Sequence, residues 1–440
     1  MKFHSLAIAA AVLAACSQGT PSIEVNKNVP AHAVMAHRGS TYWAPEETES
    51  AWRWAREMGA DYLESDLQCT KDGVILANHD DNLTRTSNIE EVFGSAVPHS
   101  RRDFYLSFGF TEADVDAQLE IDRASFKPYY ASSYYYAELL MLDSGAWFNE
   151  ACPERARPAF EGSQYVSALQ DQIAYAEGKM LRRDTQGRRV LPFSLKPGCQ
   201  GKTLEQIRAA ASENGKYMEF IEYDFGNAYI PDPCDSGHRP GIYIEFKEPE
   251  VNPEDMEQRV YDILDAAGWN ILTKPAAESD FYRDGKVRVG LTSGKVILQT
   301  FSRQSLCRAN AVFKGKVPMC FLLWRSDWNG ELDTPSSYTD IIKWAKDNGA
   351  QIIGPSISGA PNDYDELDAA WPAELVHKAE MLNHPYSFDT LEQMEEHTLR
   401  SDGFFTNRSE LTLQYLIDKG LRKADAPVPD PVETLVRLGY

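Results

Sequence analysis

Two pairs of charged residues, each spaced two apart, stand out in this chain: Glu64 and Asp66 in "DYLESD", and Glu245 and Lys247 in "GIYIEFK". Residues two apart on a strand share a face. Each pair therefore projects to one side, where a buried strand would otherwise carry Val or Ile. Three carboxylates brought together repel and raise one another's pKa. Oxygen ligands of this kind suit a hard divalent cation, Ca²⁺ or Mg²⁺. His37 closes an apolar run and is followed by Arg38-Gly39; His79 closes another and is followed by Asp80. A lone histidine is more often structural, but two at strand ends on one rim form a reasonable general acid/base pair. Arg38 offers a planar fork that matches a phosphate, and Lys247 a point charge. The set points to metal-assisted acid/base chemistry on a phosphate.

Elements must hold these groups at one rim. Short apolar runs at 33–37, 61–66, 73–80, 241–246, 295–301, 319–324, 351–357, 384–388 and 403–407 alternate with helical patterns at 49–58, 253–267, 302–312, 336–348, 371–382, 391–399 and 409–419. Such alternation predicts a mainly parallel sheet with helices outside. The list has one strand too many for an eightfold barrel. The third run follows the second after only 67–72, too few residues for a parallel crossover, and "TKDG" supplies turn chemistry. It is a hairpin return. The fold class predicted is α/β, a TIM (β/α)8 barrel with a β-hairpin after strand 2 and a long insertion before strand 4. The strand ends then gather where active sites lie. Residues 82–240 break the rhythm, and an insertion is expected at roughly 94–240. Its aromatic runs, Tyr129-Tyr130, Tyr134 to Tyr136 and Trp147-Phe148, either line a specificity pocket or pack the insertion onto the barrel, the second being the commoner fate of large aromatics.

The chain has 440 residues, 43% hydrophobic, with a formal charge of −22. No basic stripe exists to replace phosphate counterions, which argues against nucleic acid. No glycine-rich nucleotide fingerprint precedes a helix. The N-terminal "LAIAAAVLAAC" is too short to span a bilayer and resembles a bacterial lipobox ending at Cys16. Residues 1–15 read as a signal peptide, 16–32 as a lipidated tether, 33–424 as the catalytic domain and 425–440 as a C-terminal tail. Export to the periplasm or cell envelope, with a lipid anchor at Cys16 in the outer membrane, is the expectation. Among the remaining cysteines, Cys199 and Cys234 lie in a loop-rich region and form the best candidate disulfide.

The ordered set His37-Arg38-Gly39, Pro45-Glu46, Glu64/Asp66, Thr70 to Gly73, His79-Asp80 and Glu245/Lys247 resembles the glycerophosphodiester phosphodiesterases, strongly over 33–93 and patchily over 133–420. "IIGPSI", "LLMLDSGAWFN" and "HPYSFDTLEQM…GFFTNRSE" are similar to segments of the larger periplasmic members. The resemblance implies metal-dependent hydrolysis of glycerophosphodiesters to sn-glycerol 3-phosphate and an alcohol. It places one divalent cation, Ca²⁺ before Mg²⁺, on Glu64, Asp66 and Glu245. It makes His37 and His79 catalytic, gives the phosphate to Arg38 and Lys247, and leaves Glu46 to orient its neighbours. Two departures stand out. Glu47 replaces the family's frequent Asn, and Thr406-Asn407-Arg408-Ser409 replaces a late TD-x-P element. A binding lipoprotein on the same fold, or a phospholipase D-like lipid phosphodiesterase, are the alternatives.

Overall fold

The computed structural model describes residues 25–213, 217–247, 251–423 and 427–440. Its main sheet has ten strands: β1 (Ala33–Ala36), β2 (Tyr62–Cys69), β3 (Ile75–Ala77), β4 (Ser167–Ala168), β5 (Gly241–Phe246), β6 (Val296–Thr300), β7 (Met319–Leu323), β8 (Ile352–Pro355), β9 (Leu382–Asn383) and β10 (Gly403–Thr406). Eight of them run parallel in the order β9-β8-β7-β6-β5-β2-β1-β10. The ends of that path meet. Asp402 N donates to Asn383 O at 2.8 Å, Phe388 N donates to Phe405 O at 2.6 Å, and Phe388 forms a parallel bridge with Thr406. The strands thus close into the predicted barrel. At the seam the expected run at 384–388 is reduced to single bridges, because Pro385 has no N–H to give the ladder.

Seven helices make the crossovers, α1 (Glu49–Met58), α2 (Leu169–Ala176), α3 (Met256–Ala266), α4 (Arg303–Phe313), α5 (Pro335–Asp347), α6 (Ala370–Lys378) and α7 (Leu391–His397), and an eighth, α8 (Ser409–Asp418), follows β10. β3 returns antiparallel to β2, with Leu67 opposite Ala77 and Cys69 opposite Ile75. Gly73, at φ +81°, and the 2.6 Å Thr70 Oγ1–Asp72 Oδ1 bond form the turn.

Two features were not legible. β4 adds antiparallel to β3. α2, expected inside the insertion, is the crossover helix that covers β2. Its Gln172 donates to Leu63 O at 3.0 Å and accepts from Ser65 Oγ at 2.9 Å. The inserted segments on either side build their own cores. Tyr105, Phe110, Tyr135 and Phe220 pack in one, and Leu83, Tyr134, Tyr136 and Leu139 in another. The tyrosine run is therefore packing. α9 (Pro431–Leu438) lies on α1, where Trp54 Nε1 donates to Pro431 O at 3.0 Å and Arg53 Nη1 to Tyr440 Oη at 2.7 Å. Cys199 and Cys234 are both free thiols, contrary to the expected disulfide. Cys199 sits in the insertion's core, whereas Cys234 contacts Arg437 O beside α9. The segments expected to be a signal peptide, 1–15, and most of a tether, with Cys16, lie outside the described residues. No helix among the described residues is long and apolar enough to cross a membrane.

Inside the barrel, Met35, Tyr62, Tyr243, Ile297, Leu322 and Phe405 form a buried apolar floor. Two residues further along the same strands stand His37, Glu64, Glu245, Gln299, Trp324 and Asn407. The change from apolar to polar on one face of each strand places the site at the C-terminal mouth.

Candidate active site

A cavity of about 890 Å³ opens at that mouth and is lined by His37, Arg38, Glu64, Asp66, His79, Glu245 and Lys247 among others. Every residue singled out from the sequence is there except Glu46, which stands just behind Arg38, and Cys16. β2 and β5 lie side by side with Asp66 opposite Glu245, and β6 brings Gln299 level with Glu245. Carboxylate oxygens of Glu64, Asp66 and Glu245 come within 4.8 Å of one another, all three residues being buried. An all-carboxylate oxygen set of this size fits a hard divalent cation and gives no soft ligand to zinc or copper.

The protonation pattern carries the same message. Burial, then Asp66, pushes Glu64 well above the usual carboxylate range. Glu245 is raised to about 8 by burial, with Asp66 adding to it and Lys247 opposing. Burial would raise Asp66 too, but Arg38, His79 and Lys247 together hold it below its ordinary value. The protein alone cannot keep all three ionised; a cation can.

Arg38 takes a left-handed backbone, φ +48°, at the turn after β1. That turn aims its N–H at Glu64 Oε2 (2.7 Å) and its guanidinium at Asp66 Oδ2 (3.0 Å) and Glu46 Oε1 (3.4 Å). Glu46 in turn accepts two bonds from Arg85, at 2.7 and 2.9 Å, and Arg85 Nε also holds Asp80 Oδ2 at 2.6 Å. Glu46 thus couples the β1 turn to the hairpin end. Lys247 Nζ stands 3.2 Å from Glu245 Oε1 and 3.4 Å from His79 Nε2.

The two imidazoles differ. His37 Nδ1 bonds Asn407 Oδ1 at 2.8 Å, and the same oxygen accepts from Thr41 Oγ1 at 2.8 Å. That oxygen only accepts, so Nδ1 carries the proton and Nε2 offers a lone pair. Burial, then Arg38, lowers His37 to about 3, keeping it neutral. His79 Nδ1 bonds the Asp80 carboxylate at 2.6 Å. The carboxylate fixes the orientation of the ring, and Arg85 holds that carboxylate in place.

Comparison with known proteins agrees. Residues 37–189 match the model of the "Glycerophosphoryl diester phosphodiesterase family". The "Glycerophosphodiester phosphodiesterase" of Bacillus subtilis (strain 168) is 31% identical over 380 residues, covering 86% of this chain and 84% of the relative. The chain belongs to the glycerophosphoryl diester phosphodiesterase family. A relative from Caldanaerobacter subterraneus subsp. tengcongensis is 47% identical over 57 residues, 13% of this chain and 24% of its own. A structure from Agrobacterium tumefaciens str. C58 named for the same family shares the fold at TM-score 0.50 and 12% identity, covering 89% of this chain and 100% of that one.

For this phosphodiesterase-family chain, sequence reasoning missed Gln299, Arg85 and Asn407's partnership. Gln299 donates to Glu64 Oε1 at 2.8 Å, fixing the oxygen that Arg38 N leaves unbound. Its only sequence signal is a polar residue inside the apolar run "KVILQTF". Glu47, at the family's frequent Asn position, accepts from Asp66 N at 2.7 Å and is raised well above the carboxylate range by burial beside Asp66. Among the described residues, none from 82–240 lines the cavity, and the aromatic runs of the insertion are not part of it.

Asn407 stands where the phosphodiesterase pattern has Asp, and it sets the tautomer of His37. Asn407→Ala should lower kcat about tenfold, with KM little changed, because the ring loses its fixed orientation. Asn407→Asp places a carboxylate at Nδ1–H, which favours the imidazolium. The acid limb of its pH–rate profile should therefore move to higher pH. Rate profiles of the three proteins check both expectations.

Proposed function

We propose that the barrel mouth hydrolyses glycerophosphodiesters to sn-glycerol 3-phosphate and an alcohol, with His37 and His79 as base and acid. The observation that carries this reading is the meeting of Glu64, Asp66 and Glu245 within 4.8 Å, in one cavity with both histidines. Glu64, Asp66 and Glu245 would hold one divalent cation, Ca²⁺ before Mg²⁺, which when bound supplies Lewis-acid neutralisation of phosphate charge. Arg38 and Lys247 bind the non-bridging phosphate oxygens and stabilise the charge that builds there. His79 Nε2 and Lys247 Nζ are 3.4 Å apart, close enough for one phosphate oxygen to accept from both when both are charged.

His37 Nε2 takes the proton of the attacking hydroxyl, either of water, which gives sn-glycerol 3-phosphate directly, or of C2 of the glycerol, which gives a cyclic phosphate that a second attack by water opens to sn-glycerol 3-phosphate. The new P–O bond forms as the bond to the alcohol breaks, and His79 Nε2 delivers a proton to the departing alkoxide. Glu46 orients Arg38. Consistent with export, we read residues 1–15 as a signal peptide and Cys16 as the point of lipid attachment.

A panel of deacylated diesters, lysophospholipids and sphingomyelin, assayed with Ca²⁺, Mg²⁺ and EDTA, tests the reading. Release of glycerol 3-phosphate from the deacylated diesters alone, lost in EDTA, is expected. Turnover confined to the intact lipids, or undiminished in EDTA, would overturn it.

A further inference from the structure

The cavity has a second end that the reaction leaves unused. Phe301, Trp324, Tyr364 and Tyr386 line it, contributed by the loops after β6, β7, β8 and β9. Their rings meet edge to face: Trp324–Tyr364 at 5.2 Å, Tyr364–Tyr386 at 5.9 Å and Phe301–Tyr386 at 5.9 Å. All four are partly exposed rather than buried. Tyr386 is fixed by its hydroxyl, which donates to Leu323 O at 2.7 Å. Asp327 lines the same end, exposed, and among the described residues its carboxylate has a bond only from Ser326 Oγ and no cation within ion-pair distance. Arg303, the nearest lining cation on α4, stacks instead over Trp328 and Trp344, at 4.2 and 5.2 Å.

The cavity is therefore polarised along its length. Arg38 and Lys247 mark an anion-binding end, and Lys247 Nζ stands 5.9 Å from the centre of the Phe301 ring, so the rings clear of it are those of Trp324, Tyr364 and Tyr386. Tyr364 packs edge to face on both Trp324 and Tyr386, which makes the three rings one wall. The other end offers ring faces and one unpaired carboxylate. A negative phosphate followed, a few bonds on, by a positive and poorly hydrated group is what such a surface complements. Ring faces attract alkylated ammonium groups, which cannot satisfy hydrogen-bond acceptors but do seek negative potential.

We propose that this end selects phosphodiesters whose alcohol carries a quaternary ammonium, with Trp324, Tyr364 and Asp327 as its specificity residues. The proposal rests on the hydrolase reading above, since it names the alcohol of that reaction. Removing one wall of an ammonium site costs about tenfold in recognition.

The test compares kcat/KM for glycerophosphocholine with that for glycerophosphoglycerol, whose alcohol is neutral, on the full chain with its activating metal. The wild type should favour the choline diester, and tetramethylammonium should inhibit competitively. Asp327→Asn and Trp324→Leu should each lower the ratio of the two constants about tenfold, while Trp324→Phe keeps most of it. Asp327 is exposed, so its variant tests the idea even if Trp324→Leu fails to fold. Equal efficiency on both diesters in the wild type, or a ratio unmoved by Asp327→Asn and Trp324→Leu, would overturn the ammonium site and leave the hydrolase reading standing. Turnover of neither diester would sink both.

Discussion

Replacing His37 or His79 with alanine should each lower kcat by roughly 10²–10⁴-fold, with KM changed far less. The two groups follow separate strands, β1 and β3, and line one cavity. His37 follows β1 and is tied by Nδ1 to Asn407, on the last strand's end. His79 follows β3 and is tied by Nδ1 to Asp80. In both, Nδ1 is committed to the scaffold; Nε2 of His37 is offered to substrate, and Nε2 of His79 stands 3.4 Å from Lys247 Nζ. Because His37 is held at about 3, it is neutral throughout the neutral range. The ratio of wild-type to His37→Ala rates should therefore stay constant from about pH 6 to pH 8. His79→Ala should recover on substrates with good leaving groups, such as a p-nitrophenyl diester, since these need no proton; His37→Ala should not. Both side chains are partly exposed at a loop, so the variants should unfold within a few degrees of the parent. Losses under tenfold for both, with the fold intact, would remove the acid/base assignment.

What the sequence allowed to be read depends on how locally each feature is encoded. The ligand pairs were legible because a strand's period of two is rigid: once Glu64/Asp66 and Glu245/Lys247 lie on strands, their facing follows. The hairpin followed from chain length alone, six residues being too few for a crossover. The helical pattern of α2 is legible, but its place in the barrel was missed because it sits inside a region without rhythm, and only its packing on β2 through Gln172 makes it part of the barrel. The tyrosines of 134–136 left two readings open, and packing, the commoner fate of large aromatics, is the one the structure shows. Their aromatic density suggests a pocket, but composition carries no information about which side of an insertion faces the barrel mouth. The rings that do line the mouth are scattered singly over four βα loops, at 301, 324, 364 and 386, and only closure of the barrel assembles them. Gln299 and Asn407 belong to the same class: each is one polar residue whose partner lies more than 200 positions away.

Glu245→Gln, or removal of divalent ions, should abolish measurable turnover, and the loss should exceed the ~10²-fold typical of losing a group that only supports a metal ligand. The same residue gives a readout that does not depend on activity. In the protein without a cation, burial and Asp66 lift Glu245 from 4.5 to about 8. The folded state then binds more protons than the unfolded state between those values, so stability must fall as pH rises through that window. The contribution is fully present below about pH 4.5 and gone above about pH 8. In EDTA, Tm should accordingly drop between pH 5.5 and pH 8, and Glu245→Gln, which has no proton to lose, should flatten that slope. Ca²⁺ added at pH 8 should raise Tm in the parent by linkage, because it binds the folded trio and not the unfolded chain, and should do so far less in the variant. A parent whose Tm ignores both pH and Ca²⁺ would mean that Glu64, Asp66 and Glu245 neither share protons nor hold a cation. The phosphate would then have only Arg38 and Lys247 to receive it, both already engaged by the acids beside them.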